Sequence, residues 1–455
     1  MSSKALSISS DFMTEYIYKI QNKVKIKVKI TENDYQIPPQ YIFDMAARIN
    51  KKRAFLFVSR VLGKHLPVHP STPLLASALL ASKYMKEVLH IQDDQLEMKL
   101  HAFMESIIKN TDALDWKTFH LKNKTIFIGF AETATALGHA VFENFQNAFY
   151  FHTTRERLDN KSSVIHFEEE HSHASSHYCY VDHNHLDNSY PIVFIDDELT
   201  TGKTVLNIIQ SIHNRFPRKS YTVLTLLDWR NENYIQQFRQ MERELGIAIE
   251  VVSLFSGRID YHEADNILDE QLTLYQSNNP LGRIVYIDLA SIPNQTSPYY
   301  HHLSSGSNYL WQTGRFGIDS AERNKCERFI RKVAQQLLPF RQGGKTLCIG
   351  DGELMYIPMK IAAQMGNEVF FQSTTRSPIF SCNDKDYLIQ SKYTFPSPAD
   401  RMIQNYLYQI EPNMYHEAFV FFEREYEEDA VAPLLNQLVQ LIPSVFVVTL
   451  STKRG

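Results

Sequence analysis

Apolar and polar positions follow two different periods along this chain. Short apolar runs of four or five residues precede longer stretches with apolar residues three and four apart. That is the pattern of buried strands feeding helices. Lys23 to Ile30 alternate strictly as KVKIKVKI, which predicts a half-buried strand with a lysine face at a sheet edge. A turn at Gln36 to Gln40 and a helical pattern to about Asn50 follow. Strands are expected at Ala54 to Val58, Thr125 to Gly129, Ala148 to His152, Ile192 to Ile195, Tyr221 to Leu227 and Ile247 to Phe255. Helices are expected as a pair between Thr72 and about Asn110, then at Phe130 to Val141, from Val205 onward, and at Tyr234 to Leu245. This alternation defines an α/β fold, a parallel sheet flanked by helices, with its ligand crevice at the strand C-termini.

The C-terminal third repeats the scheme. TIFIGFAETATALGHAV from Thr125 matches TLCIGDGELMYIPMKIA from Thr346, and AFYFHTTRERL from Ala148 matches VFFQSTTRSPI from Val369. The same 24 positions separate Gly129 from Thr153 and Gly350 from Thr374. Upstream, FLFVSRVLG has a looser counterpart in NYLWQTGRFG. Downstream, IVFIDDELTTGKT meets FVFFEREYEEDAV, which sets Glu423 and Arg424 against Asp196 and Asp197. Two α/β domains are expected, residues 1–295 and 300–455, the second a degenerate copy of the first. The first would carry an edge strand near 20–40 and a mobile loop at 156–189.

Length and composition suit two globular domains: 455 residues, 44% apolar and 22% charged. A net charge of −4 argues against a general nucleic-acid binder, and no apolar run is long enough for a signal peptide or a membrane span. Four cysteines without a CxxC pair fit a reducing compartment, so a cytoplasmic location is expected, with small-molecule partners and a homodimer admitted.

The chemistry concentrates at Pro191 to Thr204, PIVFIDDELTTGKT. A buried strand ends in Asp196 and Asp197, a loop of Thr200, Thr201, Gly202, Lys203 and Thr204 follows, and a helix begins. Unpaired N–H groups and the positive end of the helix dipole suit a phosphate. The two acids suit a vicinal diol. Diol and monophosphate together describe a ribose 5-phosphate. A Walker A loop requires a glycine where Asp197 stands, so a nucleotide triphosphate loop is disfavoured.

This stretch resembles the phosphoribosyl pyrophosphate (PRPP) signature of type I phosphoribosyltransferases. The chain as a whole, with Thr375 to Pro378 spelling TRSP, resembles the two-domain proteins of bacterial tellurium-resistance and stress gene clusters, a phosphoribosyltransferase followed by a TRSP domain. The resemblance implies a pentosyltransferase that ribosylates a small acceptor and releases pyrophosphate, with magnesium arriving on PRPP. It further implies that Asp196 and Asp197 hold the ribose hydroxyls and that Thr200 to Thr204 cradle the 5′-phosphate. Arg60, Lys64, Arg155 and Arg157 would reach pyrophosphate, with Arg60 and Arg155 counted as catalytic. Glu169, His171 and His173 would belong to a lid, and a transition-metal site is the other reading of this histidine-rich stretch. Glu132, Asp228 and Trp229 are candidates for the acceptor pocket. In the second domain Arg315, Asp351, Glu353, Thr375, Arg376 and Ser377 are candidates for a separate ligand. A PRPP-binding regulator and a ribosyl-phosphate hydrolase or phosphorylase remain as alternatives.

Overall fold

The computed structural model describes residues 8–10, 13–20, 24–48, 55–111, 115–158, 161–168, 176–262, 282–287, 289, 309–384 and 386–451. The first half contains strands β1 (Ile8–Ser10), β2 (Met13–Ile20), β3 (Val24–Glu32), β4 (Phe43–Ala47) and β5 (Phe55–Ser59). Helices α1 (Ser71–Glu87) and α2 (Leu96–Ile108) come next. Then come β6 (Phe119–Gly129), α3 (Ala134–Phe142), β7 (Phe145–His152), β8 (Ile165–Glu168) and β9 (Ser176–Cys179). The segment closes with β10 (Ile192–Leu199), α4 (Lys203–His213), β11 (Ser220–Asp228), α5 (Glu232–Leu245) and β12 (Ala248–His262). The second half contains β13 (Arg283–Ile287), β14 (Ile318–Asp319), α6 (Arg323–Leu337), β15 (Thr346–Gly350), α7 (Tyr356–Ala362) and β16 (Val369–Ser373). It ends with β17 (Lys392–Pro396), β18 (Gln404–Tyr408), β19 (Glu417–Phe422), α8 (Glu428–Leu438) and β20 (Ser444–Thr449).

A nine-stranded sheet, β1-β2-β3-β12-β11-β10-β6-β7-β14, and a five-stranded sheet, β13-β20-β19-β15-β16, form the two centres. In the second sheet β20-β19-β15-β16 repeat the order β11-β10-β6-β7, and β13, although it comes before them in the chain, takes the place that β12 holds in the first sheet's parallel core β12-β11-β10-β6-β7. The strands of that core are apolar runs because helices cover both faces; Ile192 to Ile195 are all buried. Helix α4 buries Val205, Leu206, Ile208, Ile209 and Ile212 along one stripe, each contributing about 1.5–3 kcal/mol. Helix α3 lies against the end of β6, where a Cβ on Gly129 would come within 2.4 Å of the Ala134 carbonyl oxygen. Gly350 repeats the approach, 2.2 Å from the Leu354 oxygen.

The copies also match in register. Gly129 pairs with Ile195 and His152, and Gly350 with Phe421 and Ser373. The Thr153 N–H donates to the Gly129 oxygen and the Thr374 N–H to the Gly350 oxygen, both at 2.9 Å. Thr154 bridges to Tyr178 on the hairpin β8–β9, and Thr375 bridges to Tyr406 on the hairpin β17–β18.

Each half lends a segment to the other. Val68, between β5 and α1, pairs antiparallel with Phe371 of β16. Ile318 of β14 pairs antiparallel with Tyr150 of β7, the residue whose register matches Phe371. Gly63 and Gly314, both with positive φ, lie against the rings of those same two residues. One continuous buried cluster therefore includes Phe127, Tyr150, Met359 and Phe371.

Four expectations require correction. The lysine-striped strand β3 is interior, flanked by β2 and β12, because β1 and β2 extend the sheet beyond it. The segment before Asn50 forms β4, paired with β5, rather than a helix; its residues are buried on both faces, so no helical stripe governs them. The span 159–189, which lacks periodicity, contains the hairpin β8–β9. Strand β13 pairs with β20, so the second sheet begins before residue 295.

With segments exchanged and a core shared, calorimetry of the intact chain should show a single cooperative unfolding transition. Two separated transitions, one for each half, would contradict this packing.

Candidate functional site: a cleft with one wall from each half

A cleft of about 770 Å³ opens at the C-terminal ends of the first parallel core. Its floor is the end of β10, where Asp196, Asp197 and Glu198 line it, with Thr200 and Thr204 from the turn into α4. The Asp196 carboxylate accepts the Asp197 N–H (3.0 Å), and the Lys64 ammonium lies 4.0 Å from Asp197. Gly202 holds the turn at φ 70°, and a Cβ there would stand 2.5 Å from the Phe238 ring. This glycine therefore fixes the start of α4.

One wall comes from the first half: Phe130 to Thr133, Arg155, Arg157, Ser176 and Tyr178. Glu132 is buried, its Oε1 without a hydrogen-bond partner, and its Oε2 lies 3.7 Å from Arg155. The other wall comes from the second half: Arg376, Ser377, Ile403, Gln404 and Tyr406, joined by Arg48.

The sequence candidates divide accordingly. Asp196, Asp197, Thr200, Thr204, Lys64, Arg155, Arg157, Glu132, Arg376 and Ser377 meet in the cleft. Thr201, Gly202 and Lys203 shape the turn without lining it; the Thr201 hydroxyl accepts the Lys203 N–H. Arg60 lies outside the lining and donates to Asp44 at 2.8 Å. Asp228 and Trp229 do not line the cleft. Asp228 is bound by Arg230 at 2.9 and 2.6 Å, and Trp229 is buried, stacked on Phe57 with ring centres 4.7 Å apart. The apolar residues before Trp229 continue into the core, a fate that the short stretch LLDW does not reveal. Glu169, His171 and His173 lie outside the described residues. Of the neighbouring histidines, His177 stacks on Phe167 and His166 on Tyr178. Among the described residues the one acid cluster tight enough for a metal ion, Glu32, Asp34 and Glu87, surrounds the Lys83 ammonium at 2.6–3.8 Å.

Arg48, Tyr178, Glu198, Gln404 and Tyr406 are cleft residues that sequence reasoning missed. Glu198 stood in the quoted motif but went unweighed. The tyrosines sit on hairpins that no periodicity announced.

The matching position of the second half is closed. Register aligns Glu423 with Asp197 and Arg424 with Glu198, one residue from the sequence alignment, which had set Glu423 against Asp196. Arg315, which follows Gly314 as Lys64 follows Gly63, donates to Glu423 at 2.8 Å. Arg424 pairs with Glu156 at 2.6 Å. Glu353 accepts from the Thr154 hydroxyl (2.6 Å) and the Arg155 N–H (2.8 Å), and lies 3.4 Å from Arg315. Burial opposes charge on Glu353, yet Arg315, His152 and these donors bring its pKa down to about 2. Burial raises Asp351 to about 6, although the Thr374 hydroxyl donates to it. Thr375 hydrogen-bonds through its backbone to Tyr406. Arg315, Asp351, Glu353 and Thr375 are thus consumed by the protein itself. Of the six second-domain candidates, Arg376 and Ser377 line the cleft.

The fold and this cleft define a class: a helix-flanked parallel sheet with acids and a hydroxyl-rich helix start at its strand ends. Residues 42–258 match the family model described as phosphoribosyl transferase, and residues 312–438 match that of the TRSP domain C-terminal to it. The chain belongs to the family in which a phosphoribosyltransferase domain is followed by a TRSP domain. No curated protein matches. Among solved structures, adenine phosphoribosyltransferase from Giardia lamblia, complexed with 9-deazaadenine, is similar at 12% identity over 49% of this chain and 96% of that one, TM-score 0.27. That from Rhodothermus marinus is similar at 12% identity over 47% and 94%, TM-score 0.26. For the Trypanosoma brucei enzyme the figures are 14%, 31% and 58%, TM-score 0.20, so this chain spans little more than half its length.

The pKa of Glu353 makes a pH prediction. Its folded-state pKa lies below the unfolded carboxylate value of about 4.3, so its stabilisation is complete above that value and is lost as pH falls through about 2. Glu353→Gln should cost about 3 kcal/mol at pH 7, a deficit that narrows below pH 4. Denaturant titrations at both pH values check this, and a deficit independent of pH would refute it.

Proposed function

We propose that the cleft binds PRPP and transfers its phosphoribosyl group to a small-molecule acceptor, releasing pyrophosphate. The observation that carries this reading is the convergence of Asp196, Asp197, Thr200 and Thr204 with Lys64 and Arg155 in one cleft. The 5′-phosphate would lie at the start of α4, where unpaired N–H groups and the threonine hydroxyls donate. Asp196 and Asp197 would accept the ribose hydroxyls. The acceptor's lone pair forms the new bond to the anomeric carbon as the bond to pyrophosphate oxygen breaks, and pyrophosphate leaves with that electron pair. Lys64, Arg155 and Arg157 would stabilise its growing charge. Glu132 would take the acceptor's proton, since its unpartnered Oε1 is buried at the cleft wall.

Magnesium would arrive on the diphosphate of PRPP, held by its oxygens and not by a cluster of protein acids, since Asp196 and Asp197 are given to the ribose. When bound, it would neutralise part of the diphosphate charge. Small-molecule partners, a cytoplasmic location and the tellurium-stress setting belong to the same proposal. No helix among the described residues is long and apolar enough to cross a membrane.

The test is calorimetric titration of magnesium PRPP into the wild type and the Asp196→Asn/Asp197→Asn double variant. Loss of two charge-assisted contacts should weaken binding by about a hundredfold or more. Equal affinity in both proteins would remove the ribose assignment.

A further inference from the structure

The two walls of the cleft are copies of one another. Arg155 and Arg376 each follow a matched pair of threonines. Tyr178 and Tyr406 bridge to those threonines from matched hairpins. All four of these arginine and tyrosine side chains line the same cleft. Arg48 joins the second wall, because its backbone bridges to Ile379 close beyond Arg376. Five cationic side chains thus converge, namely Arg48, Lys64, Arg155, Arg157 and Arg376.

The closed half shows what this architecture requires. There Glu156 supplies the anion across from the strand end and is held by Arg424 at 2.6 and 3.1 Å. In the open cleft the counterpart of Glu156 is Ser377 and the counterpart of Arg424 is Glu198. The built-in carboxylate beside the arginine is replaced by a hydroxyl, a donor that fits an incoming anion. The floor acids cannot serve as that anion for both walls if they are engaged by a diol.

We propose that the TRSP domain is half of a diphosphate-binding site, not the holder of a separate ligand. Arg376 from the TRSP domain and Arg48, which the first half lends to that wall, clamp a polyphosphate group against Lys64 and Arg155, and the Ser377 hydroxyl donates beside them. Guanidinium groups suit this task because their fork matches phosphate oxygens in pairs. The site rests on the reading of the cleft given above only for the anion's source. The leaving group of PRPP and free pyrophosphate share the same chemistry.

The test uses the full chain and magnesium pyrophosphate, ribose 5-phosphate and magnesium PRPP as three separate titrants. Arg376→Gln should weaken pyrophosphate binding about tenfold or more, and Arg376→Lys should recover part of the loss. Ribose 5-phosphate, which lacks the diphosphate, should stay within about twofold for wild type and both variants. Arg48→Gln, read in the same way, guards against a folding defect in one variant. Equal losses for PRPP and pyrophosphate identify the donor's leaving group as the occupant. A loss for pyrophosphate alone identifies the free anion, and both outcomes support the clamp. Pyrophosphate affinity unchanged in both glutamine variants overturns it, as does a wild type that binds no pyrophosphate or an equal loss for ribose 5-phosphate. Loss of pyrophosphate binding in Arg376→Gln, with PRPP bound as tightly by the Asp196/Asp197 double variant as by the wild type, would remove the ribose assignment and leave the clamp. The reverse pair of results would do the opposite.

Discussion

The reciprocal loan of one segment by each half is the constraint on which the rest depends. Val68 completes the edge of the second sheet at Phe371, and Ile318 completes the edge of the first at Tyr150. Once both segments have crossed, the residues around Gly63 and Gly314 have one place to go, against the rings of Phe371 and Tyr150. Lys64 and Arg315, each next in sequence, are carried to the strand ends that bear Asp197 and Glu423. The exchange is reciprocal, which relates the two halves of the chain in a near-twofold way.

Chemistry breaks that near-symmetry. At one strand end the facing groups neutralise each other: Arg315 with Glu423, Arg424 with Glu156, and Glu353 with Arg315 and the donors of Thr154 and Arg155. Removing Arg315 would leave Glu423 buried without its ion-pair partner, which is costly. The network therefore ties the halves together as well as filling the space. At the other strand end the facing groups are Asp196 to Glu198, Thr200 and Thr204, set against arginines, a serine and tyrosines. These partners leave about 770 Å³ open. A helix start with threonine donors faces that space in the first half. Its counterpart, α8, begins with Glu427, Glu428 and Asp429, which repel an anion. One half keeps a site, and the other uses the same positions for cohesion.

Much of this was legible in the sequence where the physics is local. The strand of Ile192 to Ile195, its acids and the turn at Gly202 follow from apolar run, charge and glycine over a dozen residues. The repeat was visible because Gly129 and Gly350 are demanded by the same close approach of a following turn. Three kinds of feature were not legible. Segment exchange is invisible because pairing through one or two residues, as at Val68, leaves no periodic trace. Burial of Trp229 depends on Phe43 and Phe57, which are distant in sequence. The composite wall depends on how the halves face each other, so Arg376 could be named as a candidate while its cleft could not. The one-residue offset at Glu423 had the same cause, since only hydrogen-bond register separates two equally apolar alignments.

The central claim is that a chain with two related halves keeps one open site and has closed the other with its own side chains. Counting the PRPP molecules bound per chain at saturation tests this most directly, by equilibrium dialysis with labelled PRPP and magnesium. The account predicts one per chain. Two per chain, or none at any concentration in reach, would contradict it.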